Sequence, residues 1–157
     1  MKNRFLVKLF SVGLLSLSLV SCKKEDEKLS QITDTNGVNV TLTWTLTDGT
    51  TASTGADLDL YMYKGTDLSN EVDYSTQTAS SVEDVDLTSA DTDGDYTITV
   101  DHFSVDKPGT FTVKVQGKAV STTYEFNNNS FATGDEGEEN QLVRIKKEGN
   151  TYTVTKL

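Results

Sequence analysis

Two groups of aspartates carry spacings with chemical meaning. Asp57 and Asp59 stand two residues apart in Asp57-Leu58-Asp59-Leu60-Tyr61, and on a strand that spacing puts both carboxylates on one face with Cβ atoms about 6.6 Å apart. Their oxygens can converge on one hard cation, because ligands about 2.3 to 2.6 Å from Ca²⁺ lie up to about 5 Å from one another. The second group, Asp91, Asp93 and Asp95, brackets Gly94, whose freedom permits a tight turn that points several carboxylates inward. This run fails the EF-hand pattern, in which glycine follows acidic groups at the first, third and fifth positions. Each group also has a plain structural reading. Asp57 and Asp59 are then the wet half of an alternating strand, and residues 91–95 an ordinary polar turn. Like charges that neighbour each other on a strand cost some tenths of a kcal/mol, and bound Ca²⁺ would offset that cost.

Aromatic residues are the other candidates. Tyr61 and Tyr63 share the face of Asp57 and Asp59, so an exposed pair could stack on a sugar ring and hydrogen-bond it. The plainer reading has them covering their neighbours on an edge strand. Trp44 lies in phase with Val40 and Leu42 and belongs to the core. Catalysis has little to work with. The chain holds a single His, and His102, in phase with Ile98 and Val100, fits a strand end or core edge better than a general base. No second His completes an ordinary zinc triad, and the serines lie in turns without a nucleophile elbow. Paired carboxylates at about 5 to 9.5 Å could in principle cleave glycosides, but so acidic a chain makes such pairs by chance. The expectation is a protein that is not an enzyme.

Strands must position these residues. Val38, Val40, Leu42, Trp44 and Leu46 alternate with Asn39, Thr41, Thr43 and Thr45, and the same period of two runs through 57–63, 96–101 and 111–115. Weaker alternation covers 71–75, 82–87 and 122–126. Residues 142–147 and 151–156 flank Glu148-Gly149-Asn150, a hairpin signal. No run after residue 30 has helical period, and the abundant threonines suit pleated surfaces. Seven to nine short strands in about 120 residues predict an all-β fold, a two-sheet antiparallel β-sandwich of jelly-roll type, with a closed barrel as runner-up. Residues 48–56, 88–95, 106–109 and 127–140 have turn chemistry and read as loops. The last is the longest, and loops of that length are functional or disordered.

The start of the chain gives an address. Lys2, Arg4 and Lys8 precede a 12-residue apolar run, Leu9 to Val20, too short for a permanent membrane span and suited to a secretion signal. The run ends in Leu19-Val20-Ser21-Cys22, which resembles the lipobox of bacterial lipoproteins. That resemblance implies a lipidated Cys22 as the mature N-terminus, and Cys22 is the sole cysteine of the chain. Acyl chains contribute about 0.8 kcal/mol per buried methylene, so the membrane is the first expected partner. Lys23-Lys24-Glu25-Asp26-Glu27-Lys28 has no apolar periodicity and reads as a tether. It resembles the charged tag that sends some lipoproteins to the outer face of the outer membrane; a spacer at the periplasmic face is the alternative. The expected organisation is a signal peptide at 1–21, a disordered acidic tether at 22–36 and a sandwich domain at 37–157.

Composition narrows the partners. With 24 acidic and 14 basic side chains among 157 residues, a net charge of −10, the chain repels phosphate backbones and is not expected to bind nucleic acid. The segments Val40-Thr41-Leu42-Thr43-Trp44, Ala56-Asp57-Leu58-Asp59-Leu60-Tyr61, Asp91-Thr92-Asp93-Gly94, Tyr96 to Phe103 and Gly109 to Val113 resemble the β-sandwich accessory domains of secreted bacterial proteins, the pre-peptidase C-terminal domains and a related family. That likeness spans residues 38–116. It implies a non-catalytic module, sometimes calcium-binding, that acts beside enzymes. The resulting expectation is an outer-membrane or cell-surface lipoprotein that binds a glycan or an envelope protein, with Ca²⁺ ordering its acidic groups. The alternative is an envelope-assembly lipoprotein without a small ligand.

Overall fold

The computed structural model describes residues 30–50, 54–78 and 80–157. Cys22, the signal segment and the charged run 23–28 lie outside the described residues. Ten strands follow in chain order: β1 (Ser30–Thr33), β2 (Val38–Leu46), β3 (Ala56–Lys64), β4 (Glu71–Ser75), β5 (Val82–Leu87), β6 (Gly94–Val105), β7 (Gly109–Gly117), β8 (Thr123–Phe131), β9 (Glu139–Glu148) and β10 (Thr151–Lys156). They form two antiparallel sheets, one of six strands in the order β1-β10-β9-β6-β3-β4 and one of four in the order β5-β2-β7-β8. The molecule is an all-β sandwich.

The period-two pattern explains the layers. Val38, Val40, Leu42, Trp44 and Leu46 of β2 point inward and meet Leu58, Leu60 and Met62 of β3, Ile98 and Val100 of β6, and Val143 and Ile145 of β9, all in one core. Each such aliphatic side chain contributes roughly 1.5 to 3 kcal/mol by leaving water. Trp44 is buried as its phase demands, and its indole Nε1 donates to the carbonyl of Ala56 at 3.3 Å. The middle of β6 is buried on both faces, since Thr97 and Thr99 are as inaccessible as Ile98. Their hydroxyls stay satisfied by donating to Gly65 O (2.6 Å) and Glu139 Oε1 (2.9 Å).

Two boundaries differ from the sequence reading. The segment read as a disordered tether to residue 36 already contains β1, which pairs with β10 and buries Ile32. Asp34 then clips this edge to the far sheet by accepting the backbone N–H groups of Asn36, Ala119 and Val120. One apolar residue among polar neighbours is too short a signal for periodicity, which is why β1 escapes a pattern search. The loop read over 127–140 is shorter than expected, because β8 continues to Phe131 and β9 starts at Glu139. A bulge opposite Thr112 breaks the alternation of β8, with Asn128 at a positive φ of 67°.

Candidate functional site

The outer face of the six-stranded sheet gathers the acidic residues of three adjacent strands. Asp59 of β3 lies directly opposite Asp101 of β6, and Asp101 lies opposite Glu139 of β9, so three carboxylates form a row across the sheet. Asp57 sits two residues along β3 on the same face. Here the pairing of β3 with β6 slips by one residue between Asp57 and Asp59, a β-bulge on the β6 side. Beyond it Phe103 turns outward, 59% exposed, while His102 stays inside. A cleft of about 280 Å³ lies over the slip, lined by Asp57, Asp59, Tyr61, Thr76, Thr78 and Phe103. A second hollow, reaching Gly55 and Asp106, shares Asp57, Thr78 and Phe103 with it.

The row is electrostatically unrelieved. Burial pushes the Asp59 carboxyl up to about 6, reinforced by the charges of Asp57, Asp101 and Glu83. Burial raises Asp57 as well, and for Asp101 burial is joined by the neighbouring charge of Glu139. Asp57 Oδ1 is buried without a hydrogen-bond partner. Among the described residues no ion pair reaches any of the four carboxylates. Asp59 is only 5% exposed, so it is not the wet half of a strand. Tyr61 hangs over it, with its hydroxyl 3.5 Å from Asp59 Oδ2.

Beside the carboxylates runs a ladder of tyrosines. The Tyr61 and Tyr63 rings lie 6.2 Å apart with planes 23° from parallel, and Tyr74, opposite Tyr61 on the edge strand β4, stacks on Tyr61 at 6.2 Å and 25°. Tyr74 is the open end of this shelf, 58% exposed. Burial lifts the Tyr61 hydroxyl to about 12 and also raises that of Tyr63; the nearby carboxylates add to both. Both phenols remain neutral donors at any physiological pH.

Asp91, Asp93 and Asp95 do not join this site. They precede or open β6 at Gly94 while Asp101 sits near its other end, about 20 Å away at 3.3 Å per residue. The two aspartate groups, both read as candidate Ca²⁺ ligands, are therefore separated by about the length of one strand. Asp91 Oδ2 instead accepts the backbone N–H and hydroxyl of Thr88, both at 2.7 Å. Asp93 Oδ1 accepts from Lys147 Nζ (3.1 Å) and from the Gly149 backbone (2.9 Å). Asp95 lies opposite Lys146. Three site residues lie outside the two aspartate groups and the tyrosine pair. Asp101 continues the Thr97, Thr99 phase, a signal the sequence does carry. Tyr74 sits in a five-residue strand, and Glu139 hides in a run of acidic turn residues.

The chain matches no family model, no curated protein and no solved structure.

Proposed function

We propose that the domain is a non-catalytic carbohydrate-binding module whose platform is the shelf of Tyr61, Tyr63 and Tyr74. The observation that carries this reading is the set of three rings stacked at 6.2 Å spacing on an open sheet face, directly beside a carboxylate-lined cleft. Sugar rings present C–H faces that pack on aromatic planes and hydroxyls that donate to carboxylates. Asp57, Asp59 and Asp101 are acceptors in need of donors. The acidic field selects neutral or amino sugars over uronic acids and sulfated chains. In this reading Cys22 carries the lipid that anchors the protein to the outer membrane, with the domain displayed at the cell surface.

The orphaned Asp57 Oδ1 also supports a hard cation at Asp57, Asp59 and Asp101, which makes Ca²⁺ the ion that would order the cleft. A glycan array probed with the fluorescently labelled protein tests the main reading. Neutral glycans bind, and Tyr74→Ala, which removes the exposed end of the shelf, weakens the best one about tenfold. An array without signal overturns the reading and favours an envelope-assembly role. Equal binding by Tyr74→Ala overturns the assignment of the shelf.

A further inference from the structure

His102 presents a different chemistry at the same end of the sandwich. Strand alternation sends Asp101 outward to the carboxylate row and His102 inward, where it is 1% exposed. Its ring is wedged edge-on between Phe111 and Phe131, with centroids at 5.9 and 6.0 Å and planes 81° and 63° from its own. The loop between β8 and β9 closes over it. Gly137 N donates to His102 O at 2.8 Å and His102 N donates to Glu138 O at 2.9 Å, so the loop continues the β6-β9 ladder past its last regular pair. Asp135 Oδ2 accepts the Ala132 N–H at 2.7 Å and fixes the turn that carries it. The result brings a ring nitrogen of His102 and one carboxylate oxygen each from Asp135 and Glu138 within 4.8 Å of one another.

One group in this arrangement is unaccounted for. His102 Nδ1 is buried without any hydrogen-bond partner, and Nε2 has only Asn140 Nδ2 at 3.5 Å. A buried imidazole nitrogen without a partner costs about 1 to 3 kcal/mol, and native interiors rarely leave one so. A ligand that takes a nitrogen lone pair removes that cost.

We propose that His102, Asp135 and Glu138 form a binding site for one divalent transition-metal ion of the Zn²⁺ class. One imidazole and two carboxylates make a mixed nitrogen and oxygen donor set of the kind that Zn²⁺ accepts, whereas Ca²⁺ takes oxygen alone. Ligand atoms around tetrahedral Zn²⁺ lie about 3.4 Å apart at bonds near 2.1 Å. Closing from 4.8 Å needs a small shift, and it falls on the two carboxylates, whose residues are half-buried and exposed. The aromatic walls keep the imidazole in place, and Asn140 lies 3.5 Å from Nε2 at the ring edge, its amide oxygen or nitrogen facing the ring as the tautomer requires. Three protein ligands leave further coordination positions to water or to a donor group of a partner molecule. The site joins the β8-β9 loop to β6 near its C-terminal end, so metal binding stiffens the loop over the open end of the core.

The chain has one histidine, which makes the test direct. The full chain, labelled with ¹⁵N and purified without a histidine tag, is titrated with ZnCl₂ while the imidazole ¹⁵N resonances are followed by NMR and the affinity is measured by calorimetry. One equivalent of Zn²⁺ is expected to shift one ring nitrogen strongly, and CaCl₂ to leave both ring nitrogens unmoved. Glu138→Gln changes an exposed side chain and keeps the fold, and it weakens Zn²⁺ binding about tenfold or more. Asp135→Asn retains an oxygen for the Ala132 N–H and has the same effect. Ring resonances that ignore Zn²⁺, or a Glu138→Gln protein that binds it as the parent does, overturn the proposal. Zn²⁺ binding lost in Asp57→Asn and retained in Glu138→Gln assigns the ion to the carboxylate row and overturns it equally.

Discussion

The two ends of β6 hold the same residue type in opposite states. At its start, Asp91 and Asp93 sit in a turn and are saturated with donors, from Thr88, from Lys147 and from Gly149. The Gly149 N–H and the Lys147 ammonium hold the Asp93 carboxyl below the usual aspartate range. Near its other end, Asp57, Asp59 and Asp101 stand on strands with their carboxyls raised and one oxygen wholly unpartnered. The cause is where the backbone donors go. In a turn, N–H groups are free and a short acidic side chain reaches them. Between paired strands the ladder consumes the N–H groups, so carboxylates on the face of the inner strands β3 and β6 must find donors outside the backbone. At the two ends of β6, therefore, the turn aspartates Asp91 and Asp93 are structural and the aspartates of the sheet face are available to a ligand.

The sharpest break of this contrast is Asp93→Ala. It removes the only ion-pair partner of Lys147 among the described residues, a side chain that is 3% exposed and sits 5.9 Å from the Tyr152 ring centre. A cation buried without its counter-charge is strongly unfavourable. The expected result is a fall of several degrees in the melting temperature, the largest change of the set, followed by circular dichroism. Adding Lys147→Met to the same protein replaces the stranded charge by an apolar chain and restores part of the loss.

Asp57→Asn combined with Asp59→Asn goes the other way. Removing two charges that face Asp101 raises the melting temperature in chelator-treated protein by a few degrees, about 1 kcal/mol. Millimolar Ca²⁺ raises the melting temperature of the parent and leaves the double variant unchanged. If the double variant falls as Asp93→Ala does, the carboxylate row is structural and the contrast between the two regions fails.

Much of the sandwich is legible because a sheet with one dry face writes its period directly into the chain. The four clear alternations at 38–46, 57–63, 96–101 and 111–115 became β2, β3, β6 and β7, the strands that bring most of the core together. Asp57, Asp59, Tyr61 and Tyr63 share a face as the spacing requires. What the alternation cannot carry is which strands are neighbours. Asp59, Asp101 and Glu139 are up to 80 residues apart in the sequence and meet only through register. The one-residue slip beside Asp57 leaves no trace in composition, yet it lies under the cleft that Asp57, Asp59 and Phe103 line. His102 faces inward, as its phase with Ile98 and Val100 requires. Its carboxylate neighbours come from a turn whose course no periodicity describes.

Glu83 is the intermediate case and gives the smallest effect. It is fully buried on β5, like the carboxylate row in lacking a cation, but it accepts hydrogen bonds from the Ser75 hydroxyl and from Gln77 N (3.0 Å), like the aspartates of the turn. Burial wins, and its carboxyl lies above the ordinary value of 4.5. The folded state thus holds the proton more tightly than the unfolded chain. The protonated form contributes its stability below pH 4.5, and that stability is lost as the pH rises through the folded-state value. Glu83→Gln keeps both contacts, because its amide oxygen can accept from Gln77 N and its amide nitrogen can donate to the Ser75 oxygen. The variant should melt higher than the parent at pH 7, and the gap should close as the pH is lowered past 4.5. A gap that ignores pH would show that the two donors fully offset burial, which would make Glu83 a third member of the saturated class.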